Sequence, residues 1–155
     1  MKIEEAIKQK NFGSEVEKMV VNLIFTGNWI LSTNAQALKP TGLTTQQFNV
    51  LRILKGQHPK PAAISLVNER MLDKMSNASR LVEKLRQKGL VERTPCPDDR
   101  RQVDVKLTEL GLEVLKESNK AIVNAAKKFN GLSDKEVSEV NNLLDKLRTN
   151  GSNID

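Results

Sequence analysis

The chain has 155 residues, a formal net charge of +6 and a single cysteine, which excludes an intramolecular disulfide framework. This length supports one domain with a real core, predicted here over residues 1–155, and the positive charge favours a polyanionic partner. The acidic N-terminus lacks an apolar signal core, and the most apolar window, Met19 to Leu31, is too short to span a bilayer, so we expect a cytoplasmic protein without a membrane partner.

The first two predicted helices each begin with a capping motif. Ser14-x-x-Glu17 and Thr44-x-x-Gln47 have the spacing of a capping box, in which each side chain satisfies the other residue's free backbone N–H. Apolar residues recur every three or four positions behind Ser14, which predicts a long amphipathic helix. The second helix is short and ends near Gly56.

A loop and two more helices follow. The loop is His58–Pro61, and we place Pro61 in the first turn of a helix that continues to Met71. After a short turn, Ser76 is the predicted N-cap of the next helix and Gly89 its left-handed C-terminal cap. That helix has an apolar face and a basic polar face. The apolar face carries Ala78, Leu81, Val82 and Leu85, and the polar face carries Asn77, Arg80 and Lys84.

A charged hairpin comes directly after this basic helix. Residues 90–94 and 102–107 predict two short strands, because Val103, Val105 and Leu107 alternate with charged residues as one buried sheet face requires. From Arg70 to Lys106 there are ten Lys or Arg and six Asp or Glu, which is +4 of the total +6. A helix fits the major groove of DNA and a thin arginine-bearing loop fits the minor groove, so residues 44–107 predict a winged helix-turn-helix lobe.

Two further helices end the chain. Thr108 is the predicted cap of a helix of about five turns, and Ser133-x-x-Glu136 is a third capping box that opens the last helix. The apolar stripes of the terminal helices exceed what the lobe can cover, and an exposed stripe of this size marks association. We therefore predict a mainly α fold with a small β-hairpin wing, and dimerisation helices at 1–38 and 108–150 that build a C2 homodimer.

Three runs of sequence carry a resemblance to a known family: LTTQQFNVL at 43–51, LVEKLRQKGLVER at 81–93, and DDRR at 98–101 leading into VKLTELG at 105–111. They resemble the MarR family of bacterial winged helix-turn-helix transcriptional regulators. The resemblance implies a homodimer that binds a pseudo-palindromic operator in double-stranded DNA and is often released by a small-molecule effector or an oxidant. We predict a repressor rather than an activator.

The resemblance also implies roles for individual residues of the wing. By position, Arg101 is the minor-groove arginine and Asp99 the carboxylate that orients it, and we assign Arg100 to phosphate. A guanidinium is weakly hydrated and suits a narrow, negative groove, although the alternative is a hairpin salt bridge with only a structural role.

The recognition helix supplies the other DNA-binding candidates. Asparagine can bind adenine and arginine can bind guanine in the major groove, whereas lysines suit phosphate contacts or plain solvation. Ser76 is equally well explained as an N-cap alone, and the turn at 71–76 is about one residue out of step with the family pattern. The candidates are Ser76, Asn77, Ser79 and Arg80 for bases or phosphate, and Lys84 and Lys88 for phosphate or solvation.

Other kinds of site find little support. Cys96 at the wing tip is a redox switch or an incidental exposed thiol, and we favour the second interpretation. His58 has no Cys, Asp or Glu cluster at metal-ligand spacing, and the sequence lacks a nucleophile–base–acid set and a glycine-rich phosphate loop. We therefore predict no enzymatic activity, no metal and no cofactor. Trp29 is a candidate for lining a ligand pocket, and the alternative is a role in the core or in an interface, which is more common for such a tryptophan.

Two alternatives belong to other functional classes. A winged-helix module can bind protein instead of DNA, with a basic face that is only solvated. A DNA-binding protein can also be architectural and without sequence preference, which a footprint lacking any preferred palindrome would indicate.

Overall fold

The computed structural model describes residues 1–95 and 103–150, with the side chain of Asn150 excepted. It confirms the predicted fold class, a mainly α protein with a winged helix-turn-helix. The elements are α1 (Ile3–Ala6), α2 (Glu15–Leu38), a 3-10 turn (Lys39–Thr41), α3 (Thr45–Gln57), β1 (Ala62–Ala63), α4 (Ile64–Arg70), α5 (Ala78–Gln87), β2 (Val91–Pro95), β3 (Val103–Leu107), α6 (Glu109–Ala126), a second 3-10 turn (Lys127–Phe129) and α7 (Asp134–Asn150). No helix within these described ranges is both long and apolar enough to cross a membrane.

The chain divides into two compact units, Met1–Ile122 and Val123–Asp155. In the second unit, the predicted capping box at the start of α7 is confirmed. Glu136 Oε2 accepts a hydrogen bond from Ser133 N at 2.8 Å, and Ser133 Oγ accepts one from Glu136 N at 3.5 Å. Hydrogen bonds from the Ser133 side chain and backbone hold the pKa of Glu136 below its usual value.

The two capping boxes predicted in the first unit form to different extents. At α3, Thr44 and Gln47 exchange both hydrogen bonds, of 3.1 and 3.2 Å. At α2, Ser14 Oγ accepts from Glu17 N at 3.1 Å, but Glu17 Oε2 accepts from Gly13 N and not from Ser14. The cap of α2 is therefore confirmed and its reciprocal bond is not.

The segment after the His58–Pro61 loop corrects a prediction. Pro61 does not open a helix, because Ala62 and Ala63 form a strand that pairs antiparallel with Val105 and Asp104 of β3. The sheet therefore has three strands in the order β1-β3-β2. A two-residue strand has no periodicity to detect, and it forms because β3 offers a free edge of backbone N–H and C=O groups.

The start of α5 lies one residue later than the sequence predicted. Asn77 is the N-cap, because its Oδ1 accepts a hydrogen bond from Arg80 N at 2.9 Å. Ser76 lies in the preceding turn, where its N–H donates to the Asp73 carbonyl at 3.1 Å. The C-terminal prediction is confirmed, since Gly89 has a φ of +70°.

The core of the first unit lies between the helices of the lobe and its sheet. α3, α4, α5 and β3 contribute side chains of which less than 2 % is exposed, and Leu38 at the end of α2 joins them: Val50, Leu51, Val67, Val82, Leu85 and Val105. The predicted inward face of α5 is thereby confirmed for Ala78, Val82 and Leu85. These buried side chains pack α5 against α3, α4 and β2 and leave its polar face exposed.

The first turn of α6 is tied to the junction between α5 and β2. Thr108 caps α6 as predicted, since its Oγ1 accepts from Gly111 N at 3.0 Å, and the same hydroxyl donates to the Gly89 carbonyl at 2.7 Å. A Cβ atom on Gly111 would lie 2.0 Å from the Leu90 carbonyl oxygen. Only glycine permits this approach of α6 to the lobe.

Candidate nucleic-acid interface

The turn before α5 is held in place by hydrogen bonds from its surroundings. Asn49 Oδ1 on α3 accepts from Leu72 N at 2.9 Å, and Asp73 Oδ1 accepts from Met75 N at 3.0 Å. Lys74 Nζ donates to the Glu69 carbonyl at 2.5 Å. These bonds fix where α5 begins.

The polar face of α5 presents two cations that are available to a ligand. Arg80 and Lys84 are both exposed, and neither side chain forms an ion pair or hydrogen bond with any residue in the described ranges. Together with Ser76 and Asn77 they line an open, mainly polar groove of about 450 Å³ beside the N-terminus of α3. Four of the candidates from the recognition helix therefore lie together: Ser76, Asn77, Arg80 and Lys84.

Other cations near α5 are engaged within the protein. Arg86 and Arg93 both contact Glu83, at 2.9 and 3.2 Å, and Lys106 contacts Glu92 at 2.9 Å. The hydrogen bond from Arg86, assisted by its charge and that of Arg93, lowers the pKa of Glu83. Such exposed pairs contribute little to stability, but they neutralise charge locally and leave Arg80 and Lys84 as the accessible cations of α5.

Asn77 and Ser79 occupy positions that differ in what they can offer to DNA. The Asn77 Oδ1 atom is used by the cap, and a bidentate contact with adenine needs both that oxygen and the amide nitrogen. Ser79 is exposed and lines a second groove, of about 480 Å³, with Ile64, Ser65 and Asn68 of α4. Ser79 is thus exposed to a ligand, whereas the Asn77 oxygen already accepts one hydrogen bond at the helix start.

Lys88 makes contacts that the sequence did not predict. Its Nζ donates to the Gly42 carbonyl at 2.5 Å and to Gln47 Oε1 at 3.1 Å. We expected phosphate contact or plain solvation, and the structure shows intramolecular bonds to the start of α3. Sequence separations of 46 and 41 residues left no local signal for them.

The wing is described only at its stem. β2 and β3 pair antiparallel from Val91↔Leu107 to Pro95↔Val103. Asp99, Arg100 and Arg101, and also Cys96, lie outside the described residues, so their assignments stay predictions.

A third groove, which is mainly apolar, lies between α2 and α3. It has a volume of about 410 Å³ and is lined mainly by Leu31, Ser32 and Ala35 of α2, by Asn49 of α3 and by residues 71–73 of the following turn. Trp29 is not among these residues, and 47 % of its surface is exposed. The small side chains of Ser32 and Ala35, one turn apart on α2, leave room for this groove, and no prediction from the sequence used them.

Large apolar side chains are exposed along α2. The exposed side chains of α2 follow helical spacing and include Val16, Val20, Leu23, Ile24 and Leu31.

In the described ranges, no group of three or more His, Cys, Asp or Glu residues could hold a metal ion.

Comparison with known proteins agrees with this arrangement. Residues 41–102 match the family model described as MarR family. The HTH-type transcriptional repressor IacR of Pseudomonas putida is 28 % identical over 109 residues, which are 70 % of this chain but only 64 % of that relative's length. The crystal structure of a MarR transcription factor from Planctomyces limnophilus is 28 % identical with a TM-score of 0.67, covering 87 % of this chain and 98 % of that one.

Over residues 41–102, which include most of the winged lobe, the chain is similar to the MarR family. The chain also shares its fold with CouR from Rhodococcus jostii, whose crystal structure contains p-coumaroyl-CoA. The two chains are 24 % identical with a TM-score of 0.72, and the match covers 88 % of this chain and 95 % of CouR. The similarity to the MarR family therefore lies in residues 41–102, and the solved structures share the fold of the chain.

Proposed function

We propose that this regulator binds double-stranded DNA sequence-specifically as a homodimer and represses transcription from a pseudo-palindromic operator. The observation that carries the proposal is the polar face of α5, where Arg80 and Lys84 are exposed without an intramolecular partner in the described ranges. α5 is seated on α3, α4 and β2, so its orientation is rigid. A rigid helix with two accessible cations and Ser79 is suited to the major groove.

The proposed dimer is built by the helices within 1–38 and 108–150. Exposed apolar residues on α2 support this, and so, in the second unit, do Val137, Val140, Leu143 and Leu147 of α7. Apolar stripes of this kind are buried most simply against a second copy, and C2 closure is the commonest arrangement. Two recognition helices would then enter successive major grooves about 10 bp apart.

The wing completes the proposed contact with DNA. We assign Arg101 to the minor groove, Asp99 to its orientation and Arg100 to phosphate, on the family pattern alone. Arg101→Ala is expected to weaken operator binding by about 1–3 kcal/mol, since a specific groove contact is lost. Unchanged affinity of this variant at fixed salt would contradict the assignment.

A small organic effector is the second part of the proposal. The apolar groove between α2 and α3 is bordered by residues 71–73 of the turn before α5, so a ligand bound there would contact both α2 and the turn that leads into the recognition helix. The p-coumaroyl-CoA bound by CouR is the precedent for an effector in a protein of this fold. Ala35→Trp would fill the groove and is expected to abolish release by an effector while operator binding persists.

The decisive experiment is selection of genomic fragments by the purified protein, followed by titration of the recovered site at several salt concentrations. We expect a shared palindrome and a steep fall of log affinity with log salt, because several phosphates are engaged. Binding without a preferred sequence would indicate an architectural DNA-binding protein. Absence of duplex binding would indicate a protein-interaction module.

A further inference from the structure

We propose that Lys88 is a positioning residue that fixes the recognition helix α5 against the start of α3, and that it is not a phosphate contact. This inference rests on the proposed function, because it assigns Lys88 a part in operator specificity. It also separates two lysines of similar sequence context, Lys84 and Lys88, which the structure places in different environments.

The geometry places Lys88 where three segments meet. Lys88 is the C-cap residue of α5, and Gly42 follows the 3-10 turn that ends α2. Gln47 belongs to the capping box of α3. An ammonium group is a compact charge with three donors, which allows one lysine to bridge acceptors on different segments. The side chain therefore links the end of α5 to the α2–α3 junction.

Gln47 shows why this link is more than a surface contact. Its side chain is buried, with 4 % exposed, and its Oε1 accepts from Thr44 N at 3.2 Å as well as from Lys88 Nζ at 3.1 Å. Buried polar atoms need their partners, and a charged donor forms the stronger type of hydrogen bond. Moving Lys88 to a phosphate would remove this donor from Gln47 and from the Gly42 carbonyl together.

The turn before α5 is bonded to α3 as well. Asn49 Oδ1 accepts from Leu72 N in that turn, and Gln47 lies on the same helix. α3 thus bonds to the C-terminal end of the recognition helix and to the turn that leads into it. Base contacts depend on the exact orientation of a recognition helix, whereas phosphate contacts tolerate small displacements. Loss of Lys88 should therefore affect specific binding more than non-specific binding.

The test compares Lys88→Met with Lys84→Met, since each replaces one lysine of the same helix by an uncharged chain. The measurements are the salt dependence of operator affinity, the ratio of operator to non-specific affinity, and the melting temperature. For Lys84→Met we expect the slope of log affinity against log salt to fall in magnitude by about 0.9, the value for one phosphate. For Lys88→Met we expect an unchanged slope and a ratio reduced by about fivefold, typical of residues that act without touching the ligand.

A third variant guards against a folding defect in Lys88→Met. Lys88→Gln retains an N–H donor without the charge, so positioning predicts the wild-type slope and a ratio between those of the wild type and Lys88→Met. A reduced slope in either Lys88 variant would overturn the inference in favour of a phosphate contact. A lower melting temperature with an unchanged ratio would overturn it in favour of a purely structural bond. If the wild type itself prefers no operator, the proposed function fails first, independently of the variants.

Discussion

The winged lobe and the α2 helix use similar apolar residues in opposite ways. In the lobe, Leu51 and Leu85 are fully buried, whereas Leu23 and Ile24 of α2 are 39 % and 59 % exposed. The core of the lobe is built mainly from α3, α4, α5 and β3, and Leu38 of α2 and Leu115 of α6 join it. α2 buries mainly its C-terminal residue Leu38 in that core and leaves its apolar residues uncovered. We therefore expect the lobe to contribute mainly to folding stability, and α2 to contribute mainly to the proposed dimer.

The largest expected effect on stability comes from truncating a buried leucine of the lobe. Leu51→Ala should lower the free energy of unfolding by about 3 kcal/mol, because it leaves a cavity among buried side chains of three helices. The matched variant Leu23→Ala should cost the lobe less than about 1 kcal/mol. Urea unfolding of both variants at one protein concentration measures the difference, and equal losses would contradict the assignment of separate roles.

A smaller loss of folding stability should follow from adding a side chain at Gly111, where α6 lies close to the lobe. Gly111→Ala places a Cβ 2.0 Å from the Leu90 carbonyl oxygen, so the backbone must shift, and we expect a loss of about 2 kcal/mol. Gly56→Ala is the control, because nothing lies within 4 Å of its Cβ on α3. That variant should gain about 0.5–1 kcal/mol from the better helix propensity of alanine. Thermal melts of the two variants should shift in opposite directions.

On the α2 side, a polar substitution should weaken assembly without unfolding the lobe. Ile24→Asn removes an exposed apolar side chain from the proposed dimer interface, and each buried isoleucine contributes about 1.5–3 kcal/mol. We expect the dimer to dissociate at higher protein concentration, as measured by sedimentation velocity, with an unchanged far-UV spectrum. A dissociation constant equal to that of the wild type would place the interface elsewhere.

The smallest expected effect comes from comparing a cation of α5 that has no ion pair with one that has an ion pair. Arg80→Ala should weaken operator binding by about 1–2 kcal/mol, because it removes an accessible guanidinium from the face of α5. Arg86→Ala removes a guanidinium that already contacts Glu83, so its effect should be smaller. Fluorescence anisotropy at fixed salt compares them, and an equal effect would mean that the ion pair does not withhold Arg86 from DNA.

Local sequence signals predicted most of the fold but not its long-range contacts. The capping box at Thr44, the left-handed Gly89 and the Thr108 cap depend on residues close in the chain, and all three are confirmed. Ser76 failed as a cap because Asn77 supplies the oxygen that accepts from Arg80 N, and Ser76 lies in the preceding turn. Two adjacent residues with capping side chains are a choice that the local pattern does not decide.

The sequence predicted which residues form the candidate site, but not which of their side chains remain accessible to a ligand. The sequence placed Arg80 and Lys84 on one polar face of a helix, and the structure leaves both side chains exposed. It did not distinguish them from Lys88, whose acceptors lie more than 40 residues away in the chain. Charge counting treats every lysine alike, whereas the acceptor it meets after folding decides whether it can serve a ligand.

The sequence by itself determined the order of the helices from α2 onward, the caps of α2, α3, α6 and α7, the basic face of α5 and the excess of apolar surface on the terminal helices, because these follow from residue type and spacing. Only the tertiary structure decided that Ala62 and Ala63 join the sheet, that Lys88 links α5 to Gln47, and that Gly111 must lack a side chain. Each of these depends on a backbone edge, an acceptor or a carbonyl that a distant segment brings into place. Packing creates such partners, and no local pattern encodes them.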